Sequence, residues 1–374
     1  MNQKNLSEAL GKIRGAVAKN SINPSLEGVK WEGNTLTAYN LQISQEITIE
    51  EAAERPFILT TKAMDLIHKL PEEEIEIEVM DNKAVQITCG KVTNTFYSMS
   101  VEDYPTLPKM TVDKSVHVDL FELKLALSQI SYAISENEER VHLTGVRFLK
   151  NQGETRLHLM ACDGYRIAWS QISFQEEEES FDFVLPQAGM EKLQKIKAKK
   201  EKSLALSVSE NHLQFSWENM VLTCRRITGE HVDYQQVFSF PSEPVSITVT
   251  RQPLIDSLER ALLWEVDKNS NVLQMKFFNN RLFLTLSSAK GSYEEELEIT
   301  SKLDLTCGIN PRYLLDVLKA EPYEELNFYI CDETFGIVIS QKSLYQMENG
   351  EYLELTGVPL EHDGVHRVLP RRGK

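Results

Sequence analysis

The chain has 374 residues, of which 41% are hydrophobic and 26% charged, and this suits a globular protein of two or three domains. No apolar run approaches the roughly 20 residues needed to cross a bilayer, and the first residues lack a signal-peptide core, so we expect a cytoplasmic protein that does not enter a membrane. The net charge of −16 argues against a nucleic-acid binder, because phosphate contacts require lysine and arginine.

The first predicted elements are two helices separated by strands. The apolar residues near the N-terminus recur at the spacing of one helix face: Leu6, Leu10, Ile13 and Val17. Two strand-like runs follow at 28–31 and 36–39, and the apolar pair Met64 and Ile67 marks a second helix. Alternation of polar and apolar residues at 74–79 then predicts a further strand.

The same order of elements returns twice, which indicates an internal repeat. In the second copy the helix face is formed by Leu123, Leu127, Ile130 and Ile134, and the two strands lie at 145–148 and 156–159. Met190 and Leu193 mark the second helix, and the final strand lies at 203–208. In the third copy Leu254, Leu258 and Leu262 form the helix face, and the two strands lie at 273–277 and 281–284. Leu314 and Val317 mark the second helix, and the final strand lies at 326–330.

We therefore expect an α+β fold of three repeated modules, each with two helices packed on an antiparallel sheet. Polar stretches punctuated by proline place the module boundaries near residues 114 and 244. The predicted modules are 1–114, 115–244 and 245–374.

Positive charge is concentrated on the predicted helices. The six helical segments together carry +5, so the rest of the chain carries −21, and the most basic helix, predicted over 185–202, carries +4. A cationic helical layer opposite an anionic remainder can meet phosphates on one side and repel them on the other. The alternative is that each helix is an ordinary solvated amphipathic helix, and the third module does not share the positive charge.

Several segments carry a recognisable pattern, including the run Ala-Cys-Asp-Gly-Tyr-Arg-Ile-Ala at 161–168. The other segments are 103–105, 134–136, 143–148, 184–186, 226–230, 233–234, 310–314 and 369–372. In this order and spacing, over essentially the whole chain, the sequence resembles the bacterial DNA polymerase III β subunit, the sliding clamp.

The resemblance implies a head-to-tail homodimer that closes into a six-domain ring around DNA, with helices lining the hole and sheets outside. Such a ring is a processivity factor that performs no catalysis and needs no cofactor. The implied partners are double-stranded DNA held without sequence preference, the DNA polymerase III alpha subunit, an ATP-driven clamp loader, and other replication and repair proteins with a clamp-binding motif. The alternatives are a divergent clamp-like scaffold or regulator, and an acidic α+β enzyme whose triplication is coincidental.

The resemblance also implies a hydrophobic pocket for short linear peptides. Its residues in this chain are Leu143, Cys162, Gly164, Tyr165, Arg166, Ile167, Val237, Asn310, Tyr313, Val368, Leu369, Pro370 and Arg372. The cationic positions expected to face DNA are Lys12, Lys19, Lys69, Arg140, Lys195 and Lys199. Without the resemblance, ordinary core packing is the preferred explanation of Tyr165, Ile167, Val368 and Leu369.

Three positions depart from the family pattern and put the choice of peptide in question. Val232 stands where proline is usual, while Arg367 and Arg371 stand where apolar residues are common. We therefore predict a pocket that prefers a more acidic or otherwise altered peptide to a standard Q-x-x-L-x-F motif.

Residues that could support chemistry have simpler explanations. Gly90 and Lys91 lack the upstream glycine of a P-loop, and the Glu-His-Val-Asp run at 230–233 coincides with a turn of the family, so we expect no metal there. Asp163 and Arg166 are expected to form a structural salt bridge rather than an acid/base pair. The cysteines are widely spaced and expected to be buried free thiols: Cys89, Cys162, Cys224, Cys307 and Cys331.

Overall fold

The structure is a computed structural model that describes residues 1–107, 110, 114–174, 180–197, 203–229, 232–266, 272–341 and 364–370. The α-helices of this part are, in chain order, α1 (Gln3–Ile13), α2 (Thr61–Lys69), α3 (Leu120–Ile130), α4 (Gln187–Lys195), α5 (Tyr234–Phe238), α6 (Arg251–Leu262) and α7 (Pro311–Ala320). The strands are, in chain order, β1 (Gly28–Tyr39), β2 (Ile43–Thr60), β3 (Ile75–Val79), β4 (Ala84–Cys89), β5 (Val92–Tyr97), β6 (Lys114–Asp119), β7 (Gly145–Lys150), β8 (Arg156–Cys162), β9 (Arg166–Ser173), β10 (Phe181–Pro186), β11 (Ser203–Val208), β12 (His212–Trp217), β13 (Met220–Arg225), β14 (Val245–Thr250), β15 (Leu273–Phe278), β16 (Arg281–Ser288), β17 (Gly291–Glu298), β18 (Leu305–Ile309), β19 (Glu325–Ile330), β20 (Ile337–Ser340) and β21 (Gly364–Val368).

The chain forms two compact units, of which the N-terminal unit comprises Met1–Asp119 and Lys202–Arg226. It contains a six-stranded sheet in the order β1-β2-β13-β12-β11-β6 and a three-stranded sheet in the order β3-β4-β5. Helices α1 and α2 pack together beside them. In the helix face predicted from Leu6, Leu10, Ile13 and Val17, the first three positions are confirmed, because each side chain is at most 3% exposed. The prediction is wrong for Val17, which is buried but has an extended backbone beyond the end of α1, and Ile134 likewise lies beyond the end of α3.

The C-terminal unit comprises Leu120–Glu201 and Ile227–Lys374. Its larger sheet has the order β10-β7-β8-β9-β21-β20-β19-β14, and its smaller sheet has the order β17-β16-β15-β18. Helix α3 packs against α4, and α6 packs against α7. Strand β9 pairs with β21, so one continuous sheet joins the strands of the predicted middle module to those of the third.

Every strand pair described in the two units is antiparallel, and each predicted module carries its two long helices. The predicted α+β fold of three repeated modules is therefore confirmed. The middle module contributes strands to both units, since β13 pairs with β2 in the N-terminal unit and β9 pairs with β21 in the C-terminal unit. The boundaries at residues 114 and 244 stay a prediction about the repeat.

Two predicted elements differ from the structure. The runs at 28–31 and 36–39 belong to the single strand β1, because Gly33 adopts φ +56° and lets the strand bulge without ending. The predicted helix over 185–202 ends at Lys195, since the backbone of Ile196 is already extended. Residues 198–202 lie outside the described part.

All five cysteines are free thiols, with Cys89, Cys224 and Cys307 buried and Cys162 and Cys331 partly exposed. Among the described residues, no helix combines the length and the hydropathy that a membrane crossing requires.

Candidate peptide-binding site

A tight turn between β8 and β9 presents the centre of the predicted pocket. The carboxylate Oδ1 of Asp163 accepts hydrogen bonds from the backbone N–H of Tyr165 at 2.8 Å and of Arg166 at 3.0 Å. Gly164 has φ +89°, and a Cβ there would lie 2.9 Å from Nη1 of Arg140. The positive φ favours glycine at this position, and the turn leaves Tyr165 53% exposed.

A small cavity lies beside this turn, within the C-terminal unit. Its walls are His142, Leu143, Gly145, Arg147, Met160, Ala161, Cys162, Ile167 and Val232. Its volume is about 30 Å³, which is about the space one water molecule occupies in the liquid. Burial raises the pKa of the Cys162 thiol, so this side chain is neutral at physiological pH.

Arg147 holds one wall of the cavity in place. Its guanidinium forms a two-pronged ion pair with Asp182, at 2.9 and 2.8 Å, and donates to the carbonyl oxygen of Val232 at 3.0 Å. This bond positions Val232, where the family usually has proline. The sequence pattern named Val232 but did not reveal Arg147, whose partners are 35 and 85 residues away.

Arg166 joins the turn to the third module. It forms ion pairs with Asp163 at 3.0 Å and with Asp316 of α7 at 2.5 Å, and donates to the carbonyl oxygen of Tyr132 at 2.7 Å. Its guanidinium carbon also lies 4.9 Å from the ring centroid of Tyr132 and 4.5 Å from that of Tyr313. The predicted salt bridge with Asp163 is confirmed, and the main role of Arg166 is structural, because it connects the turn to Tyr132 and to α7.

The C-terminal segment runs alongside the turn. The backbone N–H of Leu369 donates to the carbonyl oxygen of Tyr165 at 3.0 Å, and the rings of Tyr165 and Tyr313 stack with centroids 6.0 Å apart. Gly336 allows this segment to approach, because a Cβ there would lie only 2.4 Å from the carbonyl oxygen of Val368. The stacked rings of Tyr165 and Tyr313 therefore form an aromatic surface at the turn, and the backbone of Leu369 is bonded to it.

Asn310 caps the N-terminus of α7, and its Oδ1 accepts from the backbone N–H of Arg312 at 2.9 Å. Asn310 is 1% exposed, and its Nδ2 has no hydrogen-bond partner among the described residues. This donor is buried, so it can meet a ligand carbonyl only if the neighbouring side chains move.

The predicted pocket residues thus fall into separate groups. Leu143, Cys162 and Ile167 line the cavity, and Val237 lies on α5 in the apolar cluster that contains Ile167. Val368 does not face the pocket: it is fully buried in the core of the third module, because successive side chains of a strand point to opposite faces. Pro370 ends the described part, and Arg371 and Arg372 lie outside it.

Helix α5 is anchored by a cluster of aromatic rings around His158. The Nε1–H of Trp169 donates to Nδ1 of His158 at 3.2 Å, so the Nε2–H of His158 donates to Glu154 at 3.0 Å. Tyr234 of α5 stacks on His158 with centroids 5.8 Å apart. Burial lowers the pKa of His158, an effect that the Glu154 carboxylate only partly offsets.

This cluster predicts a specific acid sensitivity. A histidine with a lowered pKa in the folded state favours folding above its unfolded pKa, about 6.5, and this contribution is lost as pH falls. We expect the wild type to lose on the order of 1 kcal/mol more stability between pH 8 and pH 5.5 than His158→Gln. Urea unfolding followed by tryptophan fluorescence measures both losses, and equal losses would show that the pKa of His158 is the same in the folded and unfolded states.

The expected DNA-facing cations are exposed wherever they are described. Lys12, Lys69 and Lys195 lie in α1, α2 and α4, Lys19 follows α1, and Arg140 lies in the loop before β7. Within the described ranges none of them has an ion pair. Lys199 lies outside the described residues.

The helical cations of the third module are arranged differently, because carboxylates neutralise them. The pairs are Arg251 with Glu324, Arg260 with Glu295, Arg312 with Glu265, and Lys319 with Glu259. Among the helical cations, those that are free to meet an external anion therefore lie on the helices of the first and middle modules. The repeated α+β modules, these exposed cations and the cavity define a repeat-built α+β binding protein.

Comparison with known proteins identifies the family. Models of the DNA polymerase III beta subunit match residues 1–108 with its N-terminal domain, 117–233 with its central domain and 239–351 with its C-terminal domain. The beta sliding clamp of Rickettsia bellii (strain RML369-C) is 24% identical over 358 residues, covering 90% of this chain and 93% of that protein. The chain belongs to the DNA polymerase III beta subunit family, the beta sliding clamps.

Solved structures agree with this assignment at the level of the fold. The DNA polymerase III subunit beta from Pseudomonas aeruginosa superposes with a TM-score of 0.87 at 20% identity, covering 100% of this chain and 99% of that one. The beta subunit from DNA polymerase of Streptococcus pyogenes gives a TM-score of 0.87 at 22% identity with the same coverage.

Proposed function

We propose that this protein is a DNA polymerase processivity factor: a non-catalytic ring that encircles duplex DNA and tethers the replicative polymerase to it. The observation that carries the proposal is the family match over all three modules together with the unpaired cations on the helices of the first two. A ring that slides needs a diffuse positive lining and no contact with base edges. The acidic remainder of the chain repels DNA from the outer surface. No observation favours the clamp-like scaffold without a polymerase.

Two edge strands support a head-to-tail dimer. Strand β5 is the edge of the three-stranded sheet and carries no charged residue, whereas the edge strand β17 carries Glu294, Glu295, Glu296 and Glu298. Two copies of β17 would repel each other, so pairing between unlike edges is favoured. Such heterologous contacts close into a ring when the rotation between subunits allows it.

The cavity beside Cys162 and Ile167 supports peptide binding. One or two apolar anchors of a linear motif, each worth about 1.5–3 kcal/mol when buried, would fill it and cover the Tyr165–Tyr313 surface. Once the neighbouring side chains move, the free Nδ2–H of Asn310 would donate to a peptide carbonyl. The cavity must widen to admit a leucine side chain, since about 30 Å³ holds little more than a water molecule. The proposed ligands are the DNA polymerase III alpha subunit, the clamp loader and other proteins with a clamp-binding motif.

Topological linkage is the decisive test. The protein, loaded with its cognate clamp loader and ATP, should elute with nicked circular plasmid in gel filtration and be lost when the plasmid is linearised after loading. A ring can leave linear DNA only by sliding off an end, whereas a surface-bound protein is indifferent to ends. Equal retention on circles and linear DNA would contradict the ring. A parallel run without ATP controls for adsorption.

A further inference from the structure

Arg367 is a cation placed in an apolar cluster next to the cavity. It lies on β21, directly opposite Ile167 of β9, so the two side chains share one face of the sheet. Ile167 lines the cavity and belongs to the same apolar cluster as Val237 and Phe335. Arg367 does not itself line the cavity, but the apolar cluster that holds its guanidinium shares Ile167 with the cavity wall.

The partners of Arg367 are backbone carbonyls and a ring. Its Nε and Nη2 donate to the carbonyl oxygen of Phe335 at 3.1 and 2.6 Å, and its Nη1 donates to the carbonyl oxygen of Val237. The guanidinium carbon lies 3.7 Å from the centroid of the Phe335 ring. Of the five N–H groups of an arginine, three are used in these bonds, and two remain for another acceptor.

No carboxylate among the described residues neutralises this charge. Arg166 on the neighbouring strand β9 differs from Arg367, because it has Asp163 and Asp316 as ion-pair partners. Burial without a compensating carboxylate lowers the pKa of Arg367 to about 10. A partly buried guanidinium with two free N–H groups is a strong donor to a carboxylate, whose oxygens accept charge-assisted hydrogen bonds from it.

We infer that Arg367 is a specificity determinant that selects peptides carrying a carboxylate next to the aromatic anchor. The occupant is thus an acidic linear peptide whose anchor fills the cavity beside Ile167 while its carboxylate meets the guanidinium. This inference rests on the proposed peptide-binding function. It assigns the charge of the preferred ligand, which the family assignment leaves open.

A pair of peptides that differ in one carboxylate tests the inference. Fluorescein-labelled Gln-Ala-Ala-Leu-Ala-Phe-Asp and its twin ending in Asn, both amidated, are titrated with the full-length protein and followed by fluorescence polarisation. The wild type should bind the Asp peptide about tenfold more tightly, and this preference should shrink as NaCl rises from 50 to 500 mM. Arg367→Met, which keeps the apolar stem, should bind both peptides equally.

Two further variants separate specificity from folding and from general electrostatics. Arg367→Lys keeps the charge without the planar fork and should retain only part of the preference. Arg156→Gln removes a charge from β8 of the same sheet and should leave the tenfold ratio unchanged. A merely structural Arg367 would weaken both peptides together in Arg367→Met without altering their ratio.

The outcomes distinguish this inference from the function on which it rests. Equal, measurable affinity of the wild type for both peptides would overturn the role of Arg367 and leave the peptide site intact. No binding of either peptide at micromolar protein would instead count against the peptide site itself. A ratio that survives in Arg367→Met would place the carboxylate-binding group elsewhere and also overturn the inference.

Discussion

Reversing three lysines, Lys12→Glu, Lys69→Glu and Lys195→Glu, should lower the amount of protein retained on nicked circular DNA about tenfold. In a dimer the change removes six exposed cations from the helical layer and adds six anions. Each phosphate contact contributes to affinity through counterion release, so the loss should grow as the salt concentration of the assay is raised. Gel filtration of loaded complexes at two salt concentrations measures the effect.

The control for this triple variant is a second triple with the same change in charge. Lys83, Lys276 and Lys302 are exposed but lie on a strand or in loops rather than on the helices. Their reversal to glutamate should leave retention nearly unchanged. The control triple should melt within about 2 °C of the wild type, because isolated surface substitutions rarely change stability by more than about 0.5 kcal/mol. The helical triple should melt a few degrees lower, because Lys12, Lys69 and Lys195 lie in the last turns of their helices, where glutamate is unfavourable. Equal loss of retention in the two triples would show that net charge, not the helical layer, governs DNA binding.

Periodicity predicted the repeated architecture because the modules bury their helices in one way. Leu6, Leu123 and Leu254 stand at corresponding places of the three modules, and each is at most 1% exposed. Burial of an apolar stripe leaves a period in the sequence, and a threefold recurrence of that period is difficult to miss. The ends of the helices were harder to predict from the sequence, since α4 ends at Lys195 without a glycine or proline after it.

The candidate site was only partly predictable. The turn at 163–166 has a local signature, because the Asp163 carboxylate bonds to backbone groups two and three residues later. Arg367 could be identified from the sequence only as an unusual residue. Its contacts with Phe335 and Val237 are to backbone carbonyls 32 and 130 residues away, and a carbonyl is offered by every residue, so no side-chain pattern announces them.

The largest effect on stability is expected from Arg166→Ala. The change leaves Asp163, 14% exposed, without its cation and removes the pairing with Asp316 of α7. It also removes the guanidinium that lies between the rings of Tyr132 and Tyr313. Breaking a largely buried ion pair from one side costs about 3–5 kcal/mol, and we expect the lower end because Asp316 is 43% exposed. Urea unfolding of the full-length protein measures the loss.

Companion variants show whether the loss of stability arises from the ion pairs and ring contacts of Arg166. Arg281→Ala breaks an exposed ion pair with Glu296 and should cost less than about 1 kcal/mol. Arg166→Lys keeps the charge but not the fork or the stacking, and should be intermediate. In Arg166→Ala/Asp316→Asn one of the two unpaired carboxylates is gone, so part of the stability should return. Together with Asp316→Asn alone, this double variant completes the cycle that gives the coupling energy between Arg166 and Asp316 of α7. If Arg166→Ala lowers the free energy of unfolding no more than Arg281→Ala does, the turn is held by its own backbone hydrogen bonds. The ion pair between Arg166 and α7 would then contribute little to the geometry of the peptide site.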